Sequence, residues 1–237
     1  RSPRMGNIIP LEEDWQKINY DLAHQVFTNK LKNASDFNFY FVGNIDETKL
    51  KELSEKYLAV LPAEGKKEMF KDLGYRAVSG THKKEYRKGT DPRSFVEITY
   101  EGETEYSEDE DLAMDALAEV IGIKLVEKLR EDESGTYTSS VSGGLSSIPY
   151  GSYSFRIFFP CGPENVERLI QVSKDEIARV IANGPDANDL KKFKEAEIND
   201  FKEREKVNRT WMNILSSENL NPGAKERYLS FLERLDK

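Results

Sequence analysis

The sequence predicts an α+β fold in which an antiparallel sheet of about five strands is covered by helices. Apolar residues recur at helical spacing through several long stretches, and in several short ones they alternate every second residue. The two periods succeed one another in the order α-β-α-β-β-α-β-β-α-α, with hairpin-length links between paired strands.

Residues Leu11 to about Lys32 read as a leading helix, with Pro10 near its start and Glu12, Glu13 and Asp14 in the first turn, where the dipole favours negative charge. Phe37-Asn38-Phe39-Tyr40-Phe41-Val42 reads as a strand with three Phe on one face. Gly43-Asn44-Ile45-Asp46 turns the chain, Asp46 caps a helix running to about Leu61, and Pro62 to Gly65 ends it. Residues 63–80 form a connection, followed by strands near 82–88 and 94–101. In the second of these Val96, Ile98 and Tyr100 alternate with Glu97 and Thr99.

Ser107 and Glu110 form a capping box ahead of a helix over 108–130, striped by Leu112, Leu117, Val120, Ile121, Leu125 and Leu129. Strands near 136–145 and 151–160 flank a Gly/Ser/Pro turn region and read as a hairpin, with Tyr153, Phe155, Ile157 and Phe159 on one face. Pro163 opens a helix to about Ala182 with Val166, Leu169, Ile170, Ile177 and Val180 inward. Asn183-Gly184-Pro185 ends it, and Asp186 caps a long charged helix whose 191–206 stretch reads as solvent-facing, with mixed-sign pairs. No internal boundary is evident. The reading is a single domain over 1–237, with a leading helix to 36, a core over 37–209 and a truncated helical tail over 210–237.

Of 237 residues, 38% are hydrophobic and 33% charged, the balance of a soluble, highly charged globular protein. A net charge of −8 argues against nucleic acid, which demands a phosphate-neutralising surface. No apolar run is long enough to span a bilayer. The single Cys161 excludes an internal disulfide and leaves periplasm and cytoplasm both open. The chain opens Arg1-Ser2-Pro3-Arg4, without an initiator methionine or apolar leader, and reads as a fragment.

The only histidines, His24 and His82, sit in neither a His-x-x-Glu-His nor a His-Glu-x-x-His frame, so the expectation is no metal bound by motif in this chain. No Gly-x-Ser-x-Gly elbow, phosphate loop or dinucleotide fingerprint occurs. Cys161, after Pro160 at a strand end, reads as a small buried residue. The segment that stands out is Lys128-Leu129-Arg130-Glu131-Asp132-Glu133-Ser134-Gly135-Thr136-Tyr137, which leaves a long helix and enters a strand. On the residues alone, Arg130 is a cation at a helix C-terminus and Tyr137 a strand residue that packs its ring. Glu131, Asp132 and Glu133 form a solvated acidic turn.

Leu129-Arg130-Glu131 followed by Ser134-Gly135-Thr136-Tyr137 resembles the Arg–Tyr segment of the pitrilysin/insulysin (inverzincin) family of zinc metallopeptidases. Asn33 to Phe37 leading to Phe41-Val42-Gly43-Asn44-Ile45-Asp46, and Glu55 to Pro62, are similar to that family's strand-turn-helix. Phe159-Pro160-Cys161-Gly162-Pro163-Glu164 and Asn208-Arg209-Thr210-Trp211 resemble its large bacterial members. The matches keep a shared order over residues 33–211.

The resemblance implies a C-terminal domain of a clamshell endopeptidase that cleaves peptides. The parent's zinc would lie on an inverted His-x-x-Glu-His helix in the N-terminal half of the same protein, which becomes a partner of this chain alongside the peptide substrate. Arg130 and Tyr137 would reach substrate carbonyls and the developing oxyanion, and the fragment alone would be inactive. Two other readings stand beside this one. The chain could be a non-catalytic subunit or scaffold of a related processing protease. It could also be an unrelated α+β module, which would bind its ligand in a closed apolar pocket.

Overall fold

A computed structural model of the chain describes residues 11–65, 71–131, 139–219 and 221–236; the side chains of 129–131 fall outside the description. Helices α1 (Glu12–Trp15), α2 (Tyr20–Leu31) and α3 (Glu47–Tyr57) precede strand β1 (Ser94–Glu103). Helix α4 (Glu108–Glu131) leads to the hairpin of β2 (Ser140–Ser146) and β3 (Ser152–Cys161). Helices α5 (Val166–Asn183), α6 (Ala187–Arg204), α7 (Asn208–Glu218), α8 (Ala224–Leu229) and α9 (Phe231–Leu235) follow. The chain divides into two compact units, Arg1–Tyr75 with Val207–Pro222 and Arg76–Lys206 with Gly223–Lys237.

In the first unit the expected leading helix is broken into two. Asn19 adopts an extended backbone, and its side chain accepts a hydrogen bond from the Leu22 N–H at 2.9 Å. That N-cap starts α2 afresh and separates it from α1. Asp46 caps α3 as expected, accepting from the Lys49 N–H at 3.0 Å.

The second unit holds the sheet, which has the order β1-β3-β2 with both pairings antiparallel. Ser94 lies opposite Cys161 and Glu103 opposite Ser152 in one pairing; Ser140 lies opposite Phe158 in the other. Central β3 buries Phe155, Ile157, Phe159 and Cys161, the alternation that its sequence announces. Against this face α4 contributes Ala118, Ile121 and Leu125, and α5 contributes Leu169 and Val180. Helix α4 runs along β2, and α5 meets β1. Gly184 closes α5 at φ +76°, a left-handed conformation that only glycine adopts cheaply, and donates to the Val180 carbonyl at 2.8 Å.

The α+β class is as expected, but the described residues form a sheet of three strands rather than five. Phe37 is extended, yet the 37–42 run carries no ladder among the described residues, and Phe39 and Phe41 stay 48% and 46% exposed. Alternation specifies an extended backbone; it does not supply the partner edge that makes a strand. The 82–88 run fails differently. Lys83, Lys84, Glu85, Arg87 and Lys88 leave no apolar face to bury, and Tyr86 is 86% exposed. Helix α6 departs from a wholly solvated reading too, since Asp189, Phe193 and Phe201 line a buried face beneath its exposed charge pairs.

Candidate functional site

Helix α4 determines where Arg130 is. Its first turn is capped by the Ser107 hydroxyl, which accepts from the Glu110 N–H at 3.1 Å. Val120, Ile121 and Leu125 are each 1% exposed or less and fasten the middle of the helix to the core. The backbone of Arg130 lies in the last turn. Its side chain, and Tyr137 together with the acidic Asp132 and Glu133, lie outside the described residues.

Beside that turn the structure places a set of charges that the residue pattern signals only indirectly. Glu176 on α5 is 0% exposed and Asp189 on α6 is 1% exposed. Lys128 of α4 donates to Glu176 Oε2, while Arg179 donates to Oε1 from Nε at 2.9 Å and Nη2 at 2.7 Å. One turn earlier, Lys124 Nζ stands 2.8 Å from Asp189 Oδ2, and Lys192 donates to Oδ1 at 3.0 Å. Burial alone would push the Glu176 carboxyl up, but the bonds from Arg179 and Lys128 outweigh it and hold the group below its usual range. Lys124 does the same for Asp189 against its own desolvation.

A signal for Glu176 is present in the sequence. Leu169, Ser173, Glu176 and Val180 recur at helical spacing on one stripe, and all four are buried. A polar residue at a core position of such a stripe asks for a buried partner.

The hairpin is fitted closely to the same helix. Asp111 of α4 accepts from the Leu145 N–H of β2 at 2.6 Å. Gly143 leaves room for Met114, whose Cγ would stand 2.7 Å from a Cβ at that position. Both elements that flank residues 132–138 are therefore tied to one another.

Among the described residues, the side chains do not fit a zinc ion. His24 stacks on Tyr20 with ring centroids 6.1 Å apart, and His82 donates from Nε2 to the Ser79 carbonyl at 2.8 Å. Cys161 is free and buried, and burial raises its thiol pKa. Among the described residues no three His, Cys, Asp or Glu side chains cluster as metal ligands. Among them also, no helix is long and apolar enough to cross a membrane.

A cleft of about 560 Å³ is lined by Glu103, Thr104, Glu105, Tyr106, Ser147, Tyr150 and Gly151. It stands open to solvent, unlike the closed pocket that an unrelated ligand-binding module would use. The chain's own Arg76 lies 3.9 Å over the Tyr150 ring and 3.1 Å from Glu103.

Residues 23–197 match the family described as the Peptidase M16 inactive domain. The chain belongs to this family. A probable zinc protease, PqqL of Haemophilus influenzae, is 25% identical over 179 residues, covering 75% of this chain and 19% of that protein. Among solved structures, the ferredoxin protease FusC in complex with Arabidopsis ferredoxin matches with a TM-score of 0.74 at 18% identity, over 96% of this chain and 25% of the other. The periplasmic protease PqqL from Escherichia coli matches with a TM-score of 0.65 at 17% identity, over 82% and 21%. The chain thus spans about a fifth of the length of the curated relative it matches. It is an M16 inactive domain from a family of zinc proteases, as the ordered motifs over 33–211 imply.

Proposed function

We propose that this M16 domain is the C-terminal, substrate-binding and transition-state-supporting part of a zinc-dependent endopeptidase that cleaves peptides. The zinc and its ligands would belong to the N-terminal half of the same protein, which closes on this chain around the substrate. The observation that carries the reading is the family match over 23–197, which contains the Arg130–Tyr137 segment. Arg130 and Tyr137 would offer a guanidinium and a phenol to substrate carbonyls and the developing oxyanion. Each donates a hydrogen bond in its ordinary protonation state, so neither needs a perturbed pKa.

Preorganised donors of this kind are worth roughly 10²–10³ in kcat. In the full-length protein, Arg130→Ala and Tyr137→Phe are each expected to lower kcat/KM by about a hundredfold on flexible peptides. Unchanged rates in both variants would remove the two residues from the site. The isolated chain, incubated with zinc and the same peptides, is expected to give no turnover. Metal-dependent hydrolysis by it would overturn the division of labour between halves.

A further inference from the structure

We infer that Glu176 is a positioning residue for Arg130, holding Lys128 and so fixing the last turn of α4. The inference rests on the substrate role proposed above for Arg130. Four observations support it. Glu176 is completely buried, and both of its oxygens are engaged by cations. One of those cations, Lys128, is two residues from Arg130, within the same turn of α4. Arg179, three residues along α5 from Glu176, grips the carboxylate with two bonds and fixes its rotamer from its own helix. A second tie, Lys124 to Asp189, joins α4 to α6 one turn earlier.

The choice of side chain is informative. A buried ion pair is a poor way to gain stability, since a well-packed apolar pair of similar volume generally does as well or better. What charge-assisted hydrogen bonds supply, and apolar contacts do not, is direction. Ile121 and Leu125 press the middle of α4 onto the core, and Asp111 ties its first half to β2 through the Leu145 N–H. The Lys128–Glu176–Arg179 bonds add a directional tie to α5 in the turn that contains Arg130. Misplacement of a catalytic group by about an ångström can cost on the order of a hundredfold in rate, so this constraint has a kinetic consequence.

The test is a double-mutant cycle in the full-length protein, reading kcat and KM on a peptide for Glu176→Gln, Arg130→Ala and the pair. Glu176→Gln is expected to lower kcat about tenfold with little change in KM, and to add nothing in the Arg130→Ala background. Should Glu176→Gln fail to fold, Lys128→Met leaves the Glu176–Arg179 pair intact and is expected to show the same non-additivity. Lys128→Arg, which can still reach Glu176, is expected to recover most of the rate. Losses that multiply with those of Arg130→Ala, or a Glu176→Gln enzyme within twofold of the unmodified one, would overturn the positioning role. If Arg130→Ala itself has no effect, the functional reading fails, and the positioning role falls with it for that separately visible reason.

Discussion

Asp115, on α4, is a carboxylate in unfavourable company. Burial, then the like charges of Asp111 and Glu197, push its pKa up to about 6, with Arg204 opposing. The folded state therefore holds this proton more tightly than the unfolded chain, whose value is near 3.8. Stability is lost as pH rises from about 4 through 6, and the loss is complete at neutrality. Because the side chain is partly solvated, Asp115→Asn is expected to gain less than about 1 kcal/mol at pH 7.5 and nothing at pH 3.5. Denaturant midpoints at the two pH values measure this, and a larger gain at the acid end would reverse the sign. Asn33 makes a different point. It matches a glycosylation sequon, yet its Oδ1 accepts from the Ser35 N–H at 3.2 Å and the Glu64 N–H at 2.9 Å, joining two turns of the first unit. Asn33→Ala should cost about 1–2 kcal/mol in unfolding experiments. The three-residue motif could not show this, because the second partner lies far along the chain.

Elements were legible where their period met a partner and illegible where it did not. Helix α4, the β2–β3 hairpin and α5 lie within a few residues of their expected bounds, because their stripes face one another across the core. The 37–42 and 82–88 runs share extended-strand features in sequence, but one has no ladder among the described residues and the other has no apolar face to cover. Gly143 shows what a pattern leaves out: the sequence places it in the strand near 136–145, where it lies, but does not show that it admits Met114 of α4. Gly143→Ala is expected to lower stability by about 1–2 kcal/mol through overpacking. Adding Met114→Ala should not compound that loss in full, since the methyl would then occupy vacated space. Fully additive losses in thermal unfolding would show that the close approach is not the cause. For the proposed site, the resemblance names Arg130 and Tyr137, and the side chains of both lie outside the described residues. The Lys128–Glu176 pair was hidden in the sequence because its members meet only once α4 and α5 are packed.

For the molecule as a whole, the buried carboxylates give an acid response opposite in sign to that of Asp115. Glu176 and Asp189 are held below their usual 4.5 and 3.8, so their contribution to stability is present above those values and lost as pH falls beneath them. Unfolding followed between pH 5 and 2 is expected to show a steep loss of stability that Glu176→Gln makes shallower. An unchanged slope would mean that the carboxylate is not charged in the native state. The sheet carries one more consequence, for the order in which the protein can form. β3 supplies the partner for β1, yet it lies roughly sixty residues further along the chain. During synthesis β1 therefore emerges well before its only described partner strand. It must wait, with Val96 and Ile98 uncovered, until α4 and the hairpin have followed. That interval is when a chaperone would find the most to hold.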